Sequence, residues 1–176
     1  MFANNQIRLA IAPIAWTNDD LPELGGNISF EQCIDEMAAT GFSGSEIGNK
    51  YPKDPAVLKP VLEQRGLQIS SAWISTFFSE EGRTEETVTH FIVQMNFLKA
   101  MGAKVINVCE CGHCIQGTPS HVFDRPSYTD QQWVLVENGL NRIGKIARDN
   151  GMVIAYHYHM GTMVQNADET NRLLEM

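Results

Sequence analysis

Short apolar, β-branched runs alternate along this chain with longer stretches in which apolar residues return every three or four positions. That order is expected of a parallel sheet built from β/α units. Residues 7–13 (IRLAIAP) predict a buried strand, and the segment from Asn27 to Thr40 predicts an amphipathic helix opened by a capping residue and ended at Gly41. Residues 44–47 (GSEI) predict a second, short strand. Pro55 to Gln64 predicts a second helix, with proline in its first turn and Gly66 as its stop. Residues 67–74 (LQISSAWI) predict a third strand. The helix that follows, Thr84 to Met101, repeats Phe91, Met95 and Leu98 on one face and stops at Gly102. Lys104 to Cys109 (KVINVC) predicts a fourth strand, followed by a loop of about twenty residues rich in Gly, Pro, Ser and His, longer than compact connections need and so expected to be functional. A helix from Thr129 to Asn150, a strand at 152–158 (MVIAYHY) and a helix starting at Ala167 bring the repeats to five.

A repeat of roughly 30 residues suits a doubly wound open sheet or a (β/α)8 TIM-type barrel, and periodicity does not choose between them. No G-x-G-x-x-G follows the first strand and no G-x-x-x-x-G-K-[ST] occurs, so the nucleotide-binding open sheets lose their usual support and the barrel is favoured. The last helix opens with Asn166 and acidic residues but reaches Met176 without a C-cap glycine. Residues 1–176 are therefore expected to be the N-terminal part of a single barrel domain, about five β/α units, truncated before strands 6–8.

In a parallel β/α architecture the reactive groups gather at the C-terminal ends of the strands. Those positions hold Trp16 after the first strand; Glu46, Asn49, Lys50 and Tyr51 after the second; Trp73, Ser75 and Thr76 after the third; Cys109, Glu110, Cys111 and His113 after the fourth; and His157 and His159 after the fifth. The two-residue step of His157-Tyr158-His159 on a strand points both imidazoles to one side. Imidazole is the commonest protein metal ligand, although hydrogen-bonded rim or core histidines fit the same spacing. Glu46 ends an apolar strand, where a carboxylate needs a metal, a cation or a polyol hydroxyl; Lys50 could supply the cation, or form a surface ion pair. Trp16 and Trp73 offer flat faces for the C–H side of a sugar ring, though core packing is the commoner use of tryptophan. The run Cys109-Glu-Cys-Gly-His-Cys114 does not match the usual zinc-ligand spacing, which leaves the thiols as small buried side chains and Glu110 as the member suited to proton transfer or hydroxyl binding.

Composition narrows the function classes. With 43% hydrophobic residues the chain can bury one sizeable core. Its formal charge is −8, from 21 acidic and 13 basic residues, and no long Lys/Arg cluster occurs, which argues against a nucleic-acid partner. The N-terminal twenty residues lack a signal-peptide layout and the run of roughly 18 apolar residues that a membrane span needs, so a soluble, cytoplasmic protein is expected. In that setting the four cysteines stay reduced.

Five segments, IAPIAWTNDDLPELGG, EIGNKYP, LQISSAWISTFF, NVCECGH and YHYHMGT, occur in the order and spacing of the inosose dehydratases, and the chain resembles that family from about Ile7 to Met176. The resemblance implies a TIM barrel of the sugar isomerase and epimerase superfamily, a divalent metal at the barrel mouth, and loss of water from 2-keto-myo-inositol (scyllo-inosose) to a trihydroxycyclohexanedione in inositol catabolism. It implies Mn or Co as the metal and glutathione as a helper. In relatives the fifth strand usually ends in Glu-Pro-His, with the Glu a metal ligand. Here His157 stands at the ligand position and His159 at the trailing histidine, while the remaining ligands belong to strands 6–8. The resemblance thus makes His157 the metal ligand; Glu46, Lys50 and Glu110 the catalytic candidates; and Trp16, Asn49, Trp73 and His159 the substrate-binding ones, with a small polyol ketone as partner. Two alternatives stay open: a metal-dependent ketose isomerase or epimerase, and a catalytically inactive fragment. An open five-strand sheet has bare edges, so self-association to a homo-oligomer is also expected.

Overall fold

The computed structural model describes residues 7–176; residues 1–6, part of the stretch read for a leader, lie outside the described residues. The chain divides into two compact units, one running to Ala72 and including Phe97–Val105, the other comprising Trp73–Asn96 and Ile106–Met176.

The first unit holds strands β1 (Ala10–Ile11), β2 (Gly44–Glu46) and β3 (Gln68–Ser71) in the order β1-β2-β3, with helices α1 (Phe30–Ala39) and α2 (Pro55–Glu63) between them. Both ladders are parallel. The predicted helix from Asn27 starts later, because Ser29 takes an extended backbone and its hydroxyl accepts from the Gln32 N–H. Phe30, Cys33, Ile34 and Met37, spaced along one face of α1, are buried with Leu58 and Leu62 of α2. Asp54 caps α2 by accepting from the Ala56 N–H. The predicted buried strand 7–13 is corrected to a two-residue strand whose residues are exposed or half-buried. The reason is position. β1 ends the order β1-β2-β3, so one ladder alone fixes it, and Pro13, which has no N–H to give, opens a 3-10 turn Pro13–Ala15 instead of extending it.

The predicted third strand, 67–74, is interrupted at Ala72 and gives β3 and then β4 (Trp73–Thr76). In the second unit β4 pairs in parallel with β5 (Val105–Glu110), and β6 (Val153–Tyr156) lies on the other side of β5. Helix α3 (Thr84–Met101) follows β4, α4 (Asp130–Asp149) follows the long loop after β5, and α5 (Ala167–Leu174) follows β6. Capping boxes start both later helices, Thr129 with Gln132 for α4 and Asn166 with Glu169 for α5. Helix α4 approaches closely at Gly139, where an added Cβ would lie 2.2 Å from the buried Phe78 ring. The long loop contains a 3-10 turn, Val122–Asp124, and is pinned where the Ile115 N–H donates to Gly161 O at 3.1 Å and Arg125 donates to Thr162 O at 3.1 Å. Among the described residues no helix is long and apolar enough to cross a membrane.

Candidate active site

In the first unit the register of β2 against β3 shifts between Ser45 and Glu46, so Glu46 lies opposite Ser71. Such shifts re-aim a side chain. The half-buried Glu46 carboxylate accepts from the Ser71 hydroxyl at 2.5 Å. Asn49, three residues on, is exposed and donates to Asp19 through its backbone and its side chain. Burial nevertheless raises the Asp19 carboxyl above its ordinary range. Lys50 is engaged by backbone: its ammonium donates to Gly25 O at 3.1 Å, Gly26 O at 3.0 Å and Ile28 O at 2.6 Å. These three carbonyls close the loop between Trp16 and α1. Gly25 there has φ +76°, and a Cβ would lie 1.7 Å from Trp16 O. The half-buried Trp16 donates its indole N–H to Glu36 at 2.6 Å. Bonds from Gln32 and then Trp16 hold the Glu36 carboxyl below its ordinary range.

Tyr51, a strand-end residue of the same set, is buried, its hydroxyl 2.7 Å from that of Ser45. Burial pushes the phenol well above its usual range, so it stays protonated. That leaves it a packing and hydrogen-bonding group.

In the second unit Glu110 ends β5 with no exposed surface. Its carboxylate accepts from Thr76 Oγ1 at 2.8 Å, Phe78 N at 3.0 Å, Ser79 N at 3.2 Å, Ser79 Oγ at 2.8 Å and Gly112 N at 3.1 Å. Five donors around one carboxylate satisfy its lone pairs and tie the turn after β4 to the turn after β5. The Glu110 N–H donates to the Tyr156 hydroxyl of β6 at 3.3 Å. Thr76 was among the strand-end residues singled out from the sequence; Ser79 and Tyr156 were not. The sequence signal for this set is slight, two short hydroxyl side chains flanking an apolar Phe77-Phe78 pair.

Trp73 brings two imidazoles together. Its ring lies edge-to-face against both, 4.9 Å from His157 and 5.4 Å from His159, with the two imidazole centroids 6.0 Å apart. The indole N–H is held by Ser75 Oγ at 3.0 Å. His157 is anchored by its backbone N–H to Val108 O, and His159 by its N–H to Val164 O. The His159 Nδ1 is 2.9 Å from Met160 O. A carbonyl only accepts, so in the neutral ring the proton sits on Nδ1 and the Nε2 lone pair is left to accept another. A cavity of about 780 Å³ opens between β4 and the first turns of α3, with Trp73, Ser75, Phe77, Arg83, Thr87 and His90 in its wall. Neither His157 nor His159 lines it. Among the described residues, no group of three or more His, Cys, Asp or Glu side chains is placed to hold a metal ion. Two imidazoles fall short of the four or more ligands that a divalent ion takes.

The sequence is matched over residues 2–176 by the family described as xylose isomerase-like TIM barrel. It is 53% identical over 179 residues to an inosose dehydratase of Geobacillus thermodenitrificans, covering 99% of this chain and 59% of that protein. It is 51% identical over 173 residues to one of Serratia proteamaculans, covering 98% of this chain and 58% of that protein. The chain thus spans under two thirds of the length of these relatives. Among solved structures it is similar to a xylose isomerase-like TIM-barrel protein of Mycobacterium smegmatis in complex with magnesium, with a TM-score of 0.69 at 16% identity, over 99% of this chain and 62% of that one.

Proposed function

The chain belongs to the xylose isomerase-like TIM-barrel family, and from that premise we propose that residues 1–176 form part of a single barrel domain of a dehydratase acting on inosose. The observation that carries this reading is the 51% and 53% identity to inosose dehydratases across nearly the whole chain. The fold alone would serve an isomerase as well.

Dehydration of a cyclic polyol ketone removes the proton next to the ketone and expels a hydroxyl from the adjoining carbon. His159 is suited to the first step, because Nδ1–H is committed to Met160 O and the Nε2 lone pair is left to act as a base. The imidazolium so formed can return that proton to the departing hydroxyl; water leaves, a C=C bond forms and the imidazole is neutral again. Trp73 fixes the ring orientations by its edge contacts and has a flat face for the C–H side of the substrate. Within the first unit, Glu46 is kept as a catalytic candidate and Asn49 and Trp16 as substrate-binding ones, the indole N–H of Trp16 being already donated to Glu36. Lys50 and Glu110 serve the reaction by holding strand-end loops in place, since their charged atoms are coordinated by the chain itself. Divalent-metal dependence, with Mn or Co, His157 as one ligand and glutathione as a helper, belongs to the same reading; the solved barrel in complex with magnesium supports the divalent metal alone. The described donors do not complete a ligand set, so the steps above rest on the imidazole. A cytoplasmic setting fits four cysteines of which none is in a disulfide. Self-association fits β6 at the end of the order β4-β5-β6 with Val153 exposed, and Tyr158 and Met160 exposed just beyond it.

The test is dehydration of scyllo-inosose, followed by the ultraviolet absorbance of the diketone, with added Mn or Co and after chelation. His159→Gln should lower the rate at least about a hundredfold while leaving the circular dichroism unchanged. An unchanged rate in H159Q would remove His159 from the chemistry.

A further inference from the structure

The four residues Cys111-Gly112-His113-Cys114 form a hydrogen-bonded turn, with the Cys114 N–H donating to Cys111 O at 3.1 Å. Cysteines therefore occupy the first and fourth positions, where Cα atoms lie within about 7 Å of each other. A disulfide needs a Cα separation of about 4.4–6.8 Å, so the turn has the span of one. The backbone is committed to this conformation. His113 has φ 57°, the left-handed region that a type II turn takes at its third position. Gly112 is dictated by space, since a Cβ would meet Ser79 Oγ at 2.0 Å and Glu110 Oε1 at 2.6 Å. Four external bonds brace the turn: Cys111 N–H to Thr76 O at 2.8 Å, Gly112 N–H to Glu110, His113 N–H to Glu80 at 3.3 Å, and the Tyr128 hydroxyl to Gly112 O. Cys111 is buried and Cys114 is half-exposed.

We propose that Cys111 and Cys114 are a reversible dithiol–disulfide pair, oxidised by low-molecular-weight disulfides. The proposal is independent of the reaction assigned above. The half-exposed Cys114 meets the oxidant first: its thiolate attacks one sulfur of the small disulfide, forming a mixed disulfide and releasing one thiolate. Cys111 then gives up its proton and attacks the Cys114 sulfur, closing the intramolecular S–S bond and releasing the second small thiol. Two protein thiols lose two electrons and two protons, and one small disulfide becomes two thiols. Cys109 is the competing partner. It stands two residues from Cys111, its thiol is hydrogen-bonded with that of Cys111, and both are buried, so the half-exposed Cys114 is the thiol a small disulfide can reach. Burial also holds the Cys114 thiol above its ordinary range, so the pair reacts slowly at neutral pH and faster as pH rises. Closing the bond would lock the turn that carries the Gly112 contacts to Glu110 and Tyr128.

The experiment incubates the folded chain with glutathione disulfide, quenches with an alkylating agent and maps the peptide holding residues 109–114 by mass spectrometry. The expected result is a bridge between Cys111 and Cys114, reversed by dithiothreitol, present in Cys109→Ser and absent in Cys114→Ser. Its rate of formation should rise about tenfold per pH unit through the neutral range. Full alkylation of both cysteines after oxidation would overturn the proposal. So would a bridge that maps to Cys109 and Cys111, or one formed only in denaturant.

Discussion

Glu110 shows how much one side chain can carry. A strand-end carboxylate next to a functional loop reads equally well as a catalytic acid or as a fastener, and only its partners tell the two apart. Five donors converge on it in a site with no exposed surface. Glu110→Ala leaves three backbone N–H groups and two hydroxyls without their acceptor, and should lower the unfolding free energy by at least about 3 kcal/mol in denaturant titration. Glu110→Gln should fall between, because its amide NH2 points donors at donors. A Glu110→Ala protein within about 0.5 kcal/mol of the parent would show that the cage does not hold the turns. Lys50 repeats the lesson at smaller scale, its ammonium spent on three carbonyls of a loop that glycine alone can close.

At the scale of elements, α5 is fastened by a charge pair with a definite pH dependence. Burial raises the Glu169 carboxyl, but the Arg125 guanidinium and the N–H groups of Gln165 and Asn166 outweigh it and hold the group below its ordinary range. A folded value below the unfolded one makes this stabilisation fully present above the unfolded value, about 4.3, and lost as pH falls through the lower folded value. Amide exchange protection of α5 should therefore hold from neutral pH to about 5 and drop on further acidification, and Arg125→Met should remove most of that step. Equal acid sensitivity in both proteins would assign the step elsewhere. The helices were legible from sequence because their signals are local: Ser29, Asp54, Thr129 and Asn166 cap where short polar side chains precede apolar periodicity. Strand ends were less so. The break at Ala72 and the shortness of β1 follow from which strands lie alongside, a non-local matter that alternation of apolar residues does not encode. The pairing of His157 with His159 was expected from a two-residue step on a strand reaching residue 158, but β6 ends at Tyr156 and both histidines lie beyond it; that Trp73 is the ring between them was not readable, since the contact joins residues more than eighty positions apart.

At the scale of the whole molecule, parallel ladders, strand-end polar groups and more than half identity with dehydratases along nearly the whole chain agree on one account. Among the described residues β6 ends the order β4-β5-β6, and on the proposed self-association light scattering is expected to show a mass above one chain that rises with concentration; a concentration-independent monomer would contradict it. The central claim is that this barrel segment serves water loss from inosose and not isomerisation. Its most direct measurement is the product mass from scyllo-inosose and from a ketohexose, taken on this chain and on a chimera completed with the remaining length of the Geobacillus thermodenitrificans relative. Loss of one water from scyllo-inosose, with the ketohexose unchanged, is the expected result. A rearranged ketohexose with inosose untouched, or no conversion by either protein, would contradict it.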